Sequence, residues 1–168
     1  RAGIKTIEIT LENDEPVLFK VDMGTSTFKT PEIPMTSDEE EFIDGELEVL
    51  DTTFNVTAIS VGNPHAIIFV DDVDAVDIDK YGPAIEAHEV FPEKINVHFV
   101  EVISKNEGKM ITWERGAGVT LACGTGATST AISGYKLGLF DDEILLHLSG
   151  GDLNFNVYEE DGKLGAFM

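Results

Sequence analysis

The stretch Trp113–Ala127 constrains the fold of this chain more than any other part, because a strand pattern, a glycine-rich loop and a helix pattern follow one another within it. It also holds the only cysteine of the sequence, Cys123. The residues up to Trp113 predict a strand, and the small residues after Cys123 predict a helix. We therefore expect Cys123 at the point where a loop becomes a helix.

The start of this predicted helix is suited to binding an anion. The first backbone N–H groups of a helix have no intrahelical acceptor, and the helix dipole places about half a positive charge there. Gly124, Thr125 and Gly126 follow Cys123 directly, so their N–H groups would lie beside the thiol. The pattern predicts a cradle for a carboxylate or a phosphate next to Cys123.

Small residues dominate the predicted helix, residues 125–137, and several of them are glycines and serines of low helix propensity. Packing must therefore stabilise the helix, and small side chains on all sides suit a helix inside a wrapped sheet. A second helix is predicted at 77–88. Strands are predicted at 4–10, 17–21, 47–60, 66–70, 96–103, 108–113, 143–148, 153–158 and 163–168. We expect an α+β fold in which a curled, mixed or antiparallel sheet wraps round the central helix.

The chain is expected to contain two unequal units. The first two predicted strands form a hairpin, and the pattern then breaks up between Gly24 and Gly45, where two prolines and an acidic run occur. A boundary there assigns residues 1–23 to one unit and residues 24–168 to another. A first residue other than methionine suggests a piece of a longer protein.

Charge and composition disfavour several functions. The chain has 11 basic and 32 acidic side chains and a formal net charge of −21, so a general attraction to nucleic acid or to an anionic membrane is not expected. No apolar run is long enough for a spanning helix or a signal peptide, and one cysteine cannot form an internal disulfide. We expect a cytoplasmic protein with a small-molecule substrate.

Four residues are candidates for chemistry, and each has a structural alternative. Cys123 is either an acid/base or nucleophilic thiol or a small buried hydrophobe, and the flanking glycines at a helix start favour the chemical role. Glu114 and Arg115 either orient a substrate or form a surface ion pair. His65 follows Asn63-Pro64 at a strand end, as an acid/base partner or as a structural residue.

The other three histidines, His88, His98 and His147, are assigned structural roles. The sequence lacks the ligand spacing typical of zinc sites and the glycine-rich loops typical of nucleotide sites. No metal and no cofactor are therefore expected.

Five short motifs are spread over the chain. They are Gly62-Asn63-Pro64-His65; Gly82-Pro83 with Glu86, His88, Phe91-Pro92-Glu93 and Asn96-Val97; Trp113-Glu114-Arg115-Gly116-Ala117-Gly118; Ala122-Cys123-Gly124-Thr125-Gly126-Ala127; and Gly150-Gly151-Asp152-Leu153. In this order they resemble the diaminopimelate epimerase family. The resemblance covers the whole chain but only the second part of the family's length, which leaves the N-terminal half, with the first catalytic cysteine, outside it.

The resemblance implies a cofactor-independent isomerase that inverts one α-carbon of diaminopimelate, from the LL to the meso form, for lysine and cell-wall synthesis. In this family two cysteines act on opposite faces of the α-carbon, one removing a proton as thiolate and the other delivering one as thiol. The family fold has two pseudo-symmetric domains, each a sheet curled round a central helix. This chain would supply the C-terminal one as residues 24–168, and residues 1–23 would be a hairpin from the absent N-terminal domain.

The resemblance also implies roles for individual residues. Cys123 matches the second catalytic cysteine, Glu114 its acid/base neighbour, and His65 the histidine that assists the absent cysteine. Substrate-binding positions are matched by Asn63, Asn96, Glu114, Arg115, Gly124 and Thr125. The chain alone would then be inactive, because one cysteine cannot serve both faces of the substrate.

Two other functions remain open on the sequence alone. One is another racemase or isomerase of similar fold acting on proline-like or aromatic substrates, against which the Glu114-Arg115 pair and the segment 82–96 argue. The other is a non-catalytic domain that binds small carboxylates at the helix start near Gly124. A homodimer is an open alternative to a monomer.

Overall fold

The computed structural model describes residues 5–168, and this part of the chain forms eleven strands and two α-helices. The strands are β1 (Ile7–Glu12), β2 (Glu15–Thr25), β3 (Gly45–Val49), β4 (Thr52–Ser60), β5 (Pro64–Val70), β6 (Asn96–Ser104), β7 (Glu107–Glu114), β8 (Gly118–Thr120), β9 (Glu143–Leu148), β10 (Gly151–Glu160) and β11 (Lys163–Phe167). The helices are α1 (Ile78–Glu86) and α2 (Gly124–Lys136), and short 3-10 helices cover Thr30–Glu32 and Val73–Ala75.

The strands form one mixed sheet. Their spatial order is β1-β2-β11-β10-β9-β7-β6-β5-β4-β3, with β8 paired to β7 beside this path. The pairs β5–β6 and β7–β9 are parallel, whereas the other pairs are antiparallel. The predicted α+β class is confirmed. The parallel pair β5–β6 matters most for the site, because it places His65 opposite Asn96 and Ile67 opposite His98.

The sheet curls round α2. The helix contacts β4, β5, β6, β9, β10 and β11, and all residues from Gly126 to Gly134 are buried. Its small residues are required by this packing: a Cβ on Gly126 would overlap the ring of His98, and one on Gly134 would overlap the ring of Phe140. The prediction of a buried central helix is therefore confirmed.

Helix α1 packs on the opposite face of the sheet, against β3, β6, β7 and β8. Its Ile85 belongs to an apolar cluster with Phe99, and a second cluster surrounds Ile132 of α2. The carboxylate of Asp77 caps α1 by accepting a hydrogen bond from the N–H of Lys80. Neither described α-helix has the length and apolar character that crossing a membrane requires.

Some predicted boundaries differ from the structure. The predicted strand 47–60 is two strands, β3 and β4, because the chain reverses at Leu50, where φ is 56°. The short strand β8 was not predicted. The predicted strand 4–10 appears as β1, and its first residue, Ile4, lies outside the described residues.

The N-terminal hairpin extends beyond the body of the sheet. Residues 6–20 are exposed, and their large apolar side chains include Ile7, Leu11 and Phe19, exposed at 53%, 57% and 56%. The second half of β2 runs on to Thr25 and pairs with β11. The division of the chain after residue 23 stays a prediction.

Candidate active site

Cys123 occupies the N-cap position of α2, where the sequence predicts a loop-to-helix junction. Its Sγ accepts a hydrogen bond from the N–H of Gly126 at 3.3 Å and lies 3.6 Å from the hydroxyl oxygen of Thr125. The sulfur therefore takes the place that a serine or aspartate oxygen fills in most helix caps. The N–H groups of Gly124 and Thr125 belong to the same first turn and have no acceptor within the helix.

The environment of Cys123 favours the protonated thiol. Burial raises the pKa of Cys123 above its ordinary value of 9.0, and the charge of Glu114 raises it further. Hydrogen bonds from Thr125 and from the N–H of Gly126 act in the opposite direction without reversing the shift. At neutral pH the group is therefore a thiol, which can donate a proton.

We expect Glu114→Gln to make Cys123 more reactive toward an alkylating agent, because removing the nearby negative charge lowers the thiol pKa. The rate at pH 8 should rise roughly twofold or more, and the pH profile of alkylation should move to lower pH. The exposed Glu159 of β10, changed to glutamine, serves as control. An unchanged or upward-shifted profile in Glu114→Gln would exclude electrostatic coupling between the two side chains.

His65 lies at the start of β5, fully buried, and forms a chain of hydrogen bonds with two other buried side chains. Its Nδ1 is 2.9 Å from Nε2 of His98, and Nδ1 of His98 is 3.0 Å from the hydroxyl oxygen of Thr112. The other ring nitrogen of His65, Nε2, is buried without a partner among the described residues. The sequence interpretation of His98 as a purely structural residue missed this chain.

Both imidazoles are neutral at physiological pH. Burial lowers the pKa of His98 from 6.5 to about 3. Burial, followed by the charges of His98 and Arg115, lowers the pKa of His65 well below 6.5. Since one ring must donate and the other accept in their shared hydrogen bond, the tautomers of the two rings are coupled.

Asn63 and Asn96 lie at the same end of the sheet, where the parallel strands β5 and β6 begin. Asn96 opens β6, and its side-chain N–H donates to the carbonyl of Pro64 at 2.8 Å. Its side-chain oxygen accepts a hydrogen bond from the N–H of Arg115 at 3.0 Å. Asn96 thus connects the start of β5 to the loop after β7, whereas Asn63 is half-buried in the bend before β5.

Glu114 is the last residue of β7, and Arg115 follows it. The guanidinium of Arg115 donates to the carbonyl oxygens of Glu93 and Lys94, at 2.9 and 3.4 Å. Within residues 5–168, Arg115 forms no salt bridge with Glu114, so these two residues do not form the surface ion pair that the sequence left open. The charge of Glu114 acts on Cys123, and that of Arg115 acts on His65.

Glu86 anchors the loop that carries these two residues, a role that the sequence did not reveal. Its carboxylate accepts hydrogen bonds from Trp113 Nε1 at 2.7 Å, from the N–H of Gly116 at 3.1 Å and from Lys94 Nζ at 3.2 Å. Burial alone raises the pKa of Glu86, but these bonds outweigh it and lower the pKa below 4.5. An acidic residue on the buried face of a predicted helix was the available signal.

Several of the residues expected from the sequence gather at the start of α2. Cys123, Gly124 and Thr125 lie together at the start of α2, where the negative charge of Glu114 raises the pKa of Cys123. His65 joins this group, because donor atoms of His65, His98 and Cys123 lie within 4.8 Å of one another. These three are the described residues best placed to hold a metal ion.

Comparison with solved structures shows which proteins share this fold. Among solved structures, the chain is similar to a phenazine biosynthesis protein of the PhzF family from Bacillus anthracis, with a TM-score of 0.65, 18% identity and coverage of 99% of this chain and 62% of the other. It is also similar to a hydroxyproline epimerase from Agrobacterium vitis, with a TM-score of 0.63, 13% identity and coverage of 99% and 53%. At these identities the likeness concerns the fold.

Sequence comparison identifies the family. The family model described as diaminopimelate epimerase matches residues 57–168. A diaminopimelate epimerase of Methanothermobacter thermautotrophicus is 59% identical over 167 residues, 99% of this chain and 58% of the relative. Another, of Bacillus cytotoxicus, is 44% identical over 162 residues, 95% of this chain and 56% of the relative. The chain belongs to the diaminopimelate epimerase family and spans less than two thirds of these relatives' length.

Proposed function

We propose that this chain is the part of a diaminopimelate epimerase that carries one of its two acid/base cysteines, Cys123. The observation that carries the proposal is the position of the Cys123 sulfur, which caps the first turn of α2 beside its free N–H groups. A substrate carboxylate bound by the amides of Gly124 and Thr125 would place its α-carbon next to this sulfur. The relatives' name supplies the substrate class, diaminopimelate, and the family resemblance implies inversion of the LL form to the meso form.

Proton delivery follows from the state of the thiol. Because burial and the charge of Glu114 keep Cys123 protonated, the group can give a proton to one face of the α-carbon once the opposite face has lost its own. The negative charge then spreads into the α-carboxylate, where the donors at the helix start stabilise it. In the reverse direction Cys123 removes the proton, and Glu114 is the neighbouring acid/base group.

His65 serves the other face in this proposal. Its unpartnered Nε2 is buried and available, while Nδ1 is held by His98. We assign to it the deprotonation of a second cysteine, contributed by the part of the family's length that this chain does not span. His98 and Thr112 would position the ring and set which nitrogen carries the proton.

Substrate contacts are proposed at the loop ends around these two groups. Arg115 and Glu114 carry opposite charges, which suits the distal amino and carboxylate groups of a diamino diacid. Asn63 is half-buried at the same edge, and Asn96 holds the Arg115 loop in place through its two hydrogen bonds.

We further propose that residues 1–23 pack against the remaining part of a full-length family protein, and that residues 24–168 form the epimerase domain proper. The exposed apolar side chains of β1 and early β2 support this division, because a hairpin of this kind is rarely left uncovered in a soluble domain.

We expect the 168-residue chain to show no conversion of LL- to meso-diaminopimelate, because one cysteine cannot act on both faces. A full-length family protein containing this segment should convert it. Chiral chromatography of reactions with LL-diaminopimelate, proline, hydroxyproline and an aromatic amino acid checks both statements. Sustained turnover by the 168-residue chain would refute the proposal that a second cysteine from outside this chain completes the active site.

The same substrate panel separates the alternatives. Turnover of proline-like or aromatic substrates in place of diaminopimelate by the full-length protein would indicate another isomerase of this fold. Tight calorimetric binding of simple amino acids to the chain, with no turnover in the full-length protein, would indicate a carboxylate-binding domain.

A further inference from the structure

Three metal-ligating side chains meet at the start of α2 although they are far apart in the sequence. His65 comes from β5, His98 from β6 and Cys123 from the N-cap of α2. One donor atom from each lies within 4.8 Å of the other two, and all three residues are buried. The parallel pairing of β5 and β6, with α2 packed across them, creates the cluster.

The donors are of the kind that thiophilic divalent cations prefer. Imidazole and thiolate are the commonest ligands of zinc, and an imidazole must be neutral to bind a metal. Both rings are fully buried, where β5, β6 and α2 meet. Nε2 of His65 has no partner among the described residues, so a lone pair is available without breaking an existing bond.

The sulfur lies close to two hydrogen-bond donors. The N–H of Gly126 donates to Sγ of Cys123, and the hydroxyl of Thr125 lies 3.6 Å away. Hydrogen bonds to a thiolate stabilise its negative charge, and the net charge of −21 raises the local concentration of cations around the chain.

The spacing is close to that of a coordination sphere. Two ligand nitrogens on a tetrahedral zinc ion are roughly 3.3 Å apart. The donor atoms of the three side chains lie within 4.8 Å of one another. Nε2 of His98 shares a 2.9 Å hydrogen bond with Nδ1 of His65, so a small rotation of the His98 ring would free this nitrogen for an ion held by Nε2 of His65.

We propose that His65, His98 and Cys123 bind one thiophilic divalent cation, with zinc as the preferred ion. The thiol of Cys123 loses its proton to solvent, and the three side chains supply three ligands while water supplies a fourth. The site does not depend on the proposed epimerase activity. Where that activity is present, the bound ion occupies the lone pair of Cys123 and blocks its use in proton transfer.

Cobalt titration of the 168-residue chain tests the proposal. Binding of Co²⁺ should produce a thiolate-to-cobalt charge-transfer band that saturates at one ion per chain, and Zn²⁺ should abolish the band by displacing cobalt. Cys123→Ser should remove the band. His98→Gln should weaken binding at least tenfold, since even residues that only support a ligand contribute 10- to 100-fold.

The matched control is His147→Gln. His147 contacts the carboxylates of Glu107 and Asp152 near the surface, where a cation could bind outside the proposed site, so it reports adventitious binding. This variant should retain the wild-type band and affinity. Circular dichroism checks that each variant folds, and slower alkylation of Cys123 in wild-type chain saturated with Zn²⁺ provides a readout that needs no variant.

Three results would overturn the proposal. They are the absence of a charge-transfer band in the wild-type chain, a band that persists in Cys123→Ser, and zinc that leaves the alkylation rate of Cys123 unchanged.

Discussion

Cys123→Ser in a full-length family protein is expected to reduce epimerisation by about 10²–10⁴-fold, the usual contribution of a positioned acid/base group. A serine hydroxyl can still cap α2 by accepting from the N–H of Gly126, so the helix start is preserved. Its pKa is far too high for proton exchange with an α-carbon. We therefore expect kcat to fall while binding of LL-diaminopimelate, measured by calorimetry, changes little.

Val119→Ala is the matched control for this variant. Val119 lies on β8, near the same loop in sequence, and is 54% exposed, so its truncation should leave kcat unchanged. A Cys123→Ser enzyme with kcat within tenfold of the wild type would remove the thiol from the proposed mechanism.

Glu86→Ala is expected to lower the free energy of unfolding by about 2 kcal/mol, the usual contribution of a hydrogen bond to a charged group. The change removes the acceptor for the half-buried Trp113 Nε1, whereas the N–H of the exposed Gly116 can bond to water instead. The exposed Lys94 contributes little to this figure. Urea unfolding measures the effect, with Glu89→Ala, an exposed glutamate of the neighbouring loop, as control.

The same carboxylate predicts a pH dependence. Because the folded-state pKa of Glu86 is lowered from 4.5, its stabilisation is fully present above that pH and is lost as the pH falls through the lower folded value. Glu86→Gln should weaken this part of the acid dependence, since an amide does not titrate there. Equal unfolding free energies for Glu86→Ala and Glu89→Ala at neutral pH would contradict the anchoring role.

The local features of the site could be predicted from the sequence. The change from strand pattern to glycine-rich loop to small-residue helix placed Cys123 at the start of α2, because secondary structure and capping depend on residues close in sequence. The predominance of small residues in α2 likewise predicted its burial.

The long-range features could not be predicted in this way. His65 and His98 meet because β5 and β6 pair in parallel with a particular register, and nothing in either strand's own pattern specifies the partner strand. Glu86 lies in a helix pattern, but the donors that stabilise it come from Trp113 and Gly116, which the tertiary fold brings there. Polar residues that are buried by such contacts can be identified only from the tertiary structure.

The deuterium content of product formed early in the reaction tests the two-base mechanism most directly. LL-diaminopimelate is incubated in D₂O with a full-length family protein, and both the meso product and the recovered substrate are analysed by mass spectrometry at low conversion. If Cys123 delivers a solvent-derived proton to the face opposite the one deprotonated, the product carries one deuterium at the inverted carbon and the recovered substrate carries none. A product that retains the substrate's own hydrogen would mean that one group serves both faces, which contradicts the account.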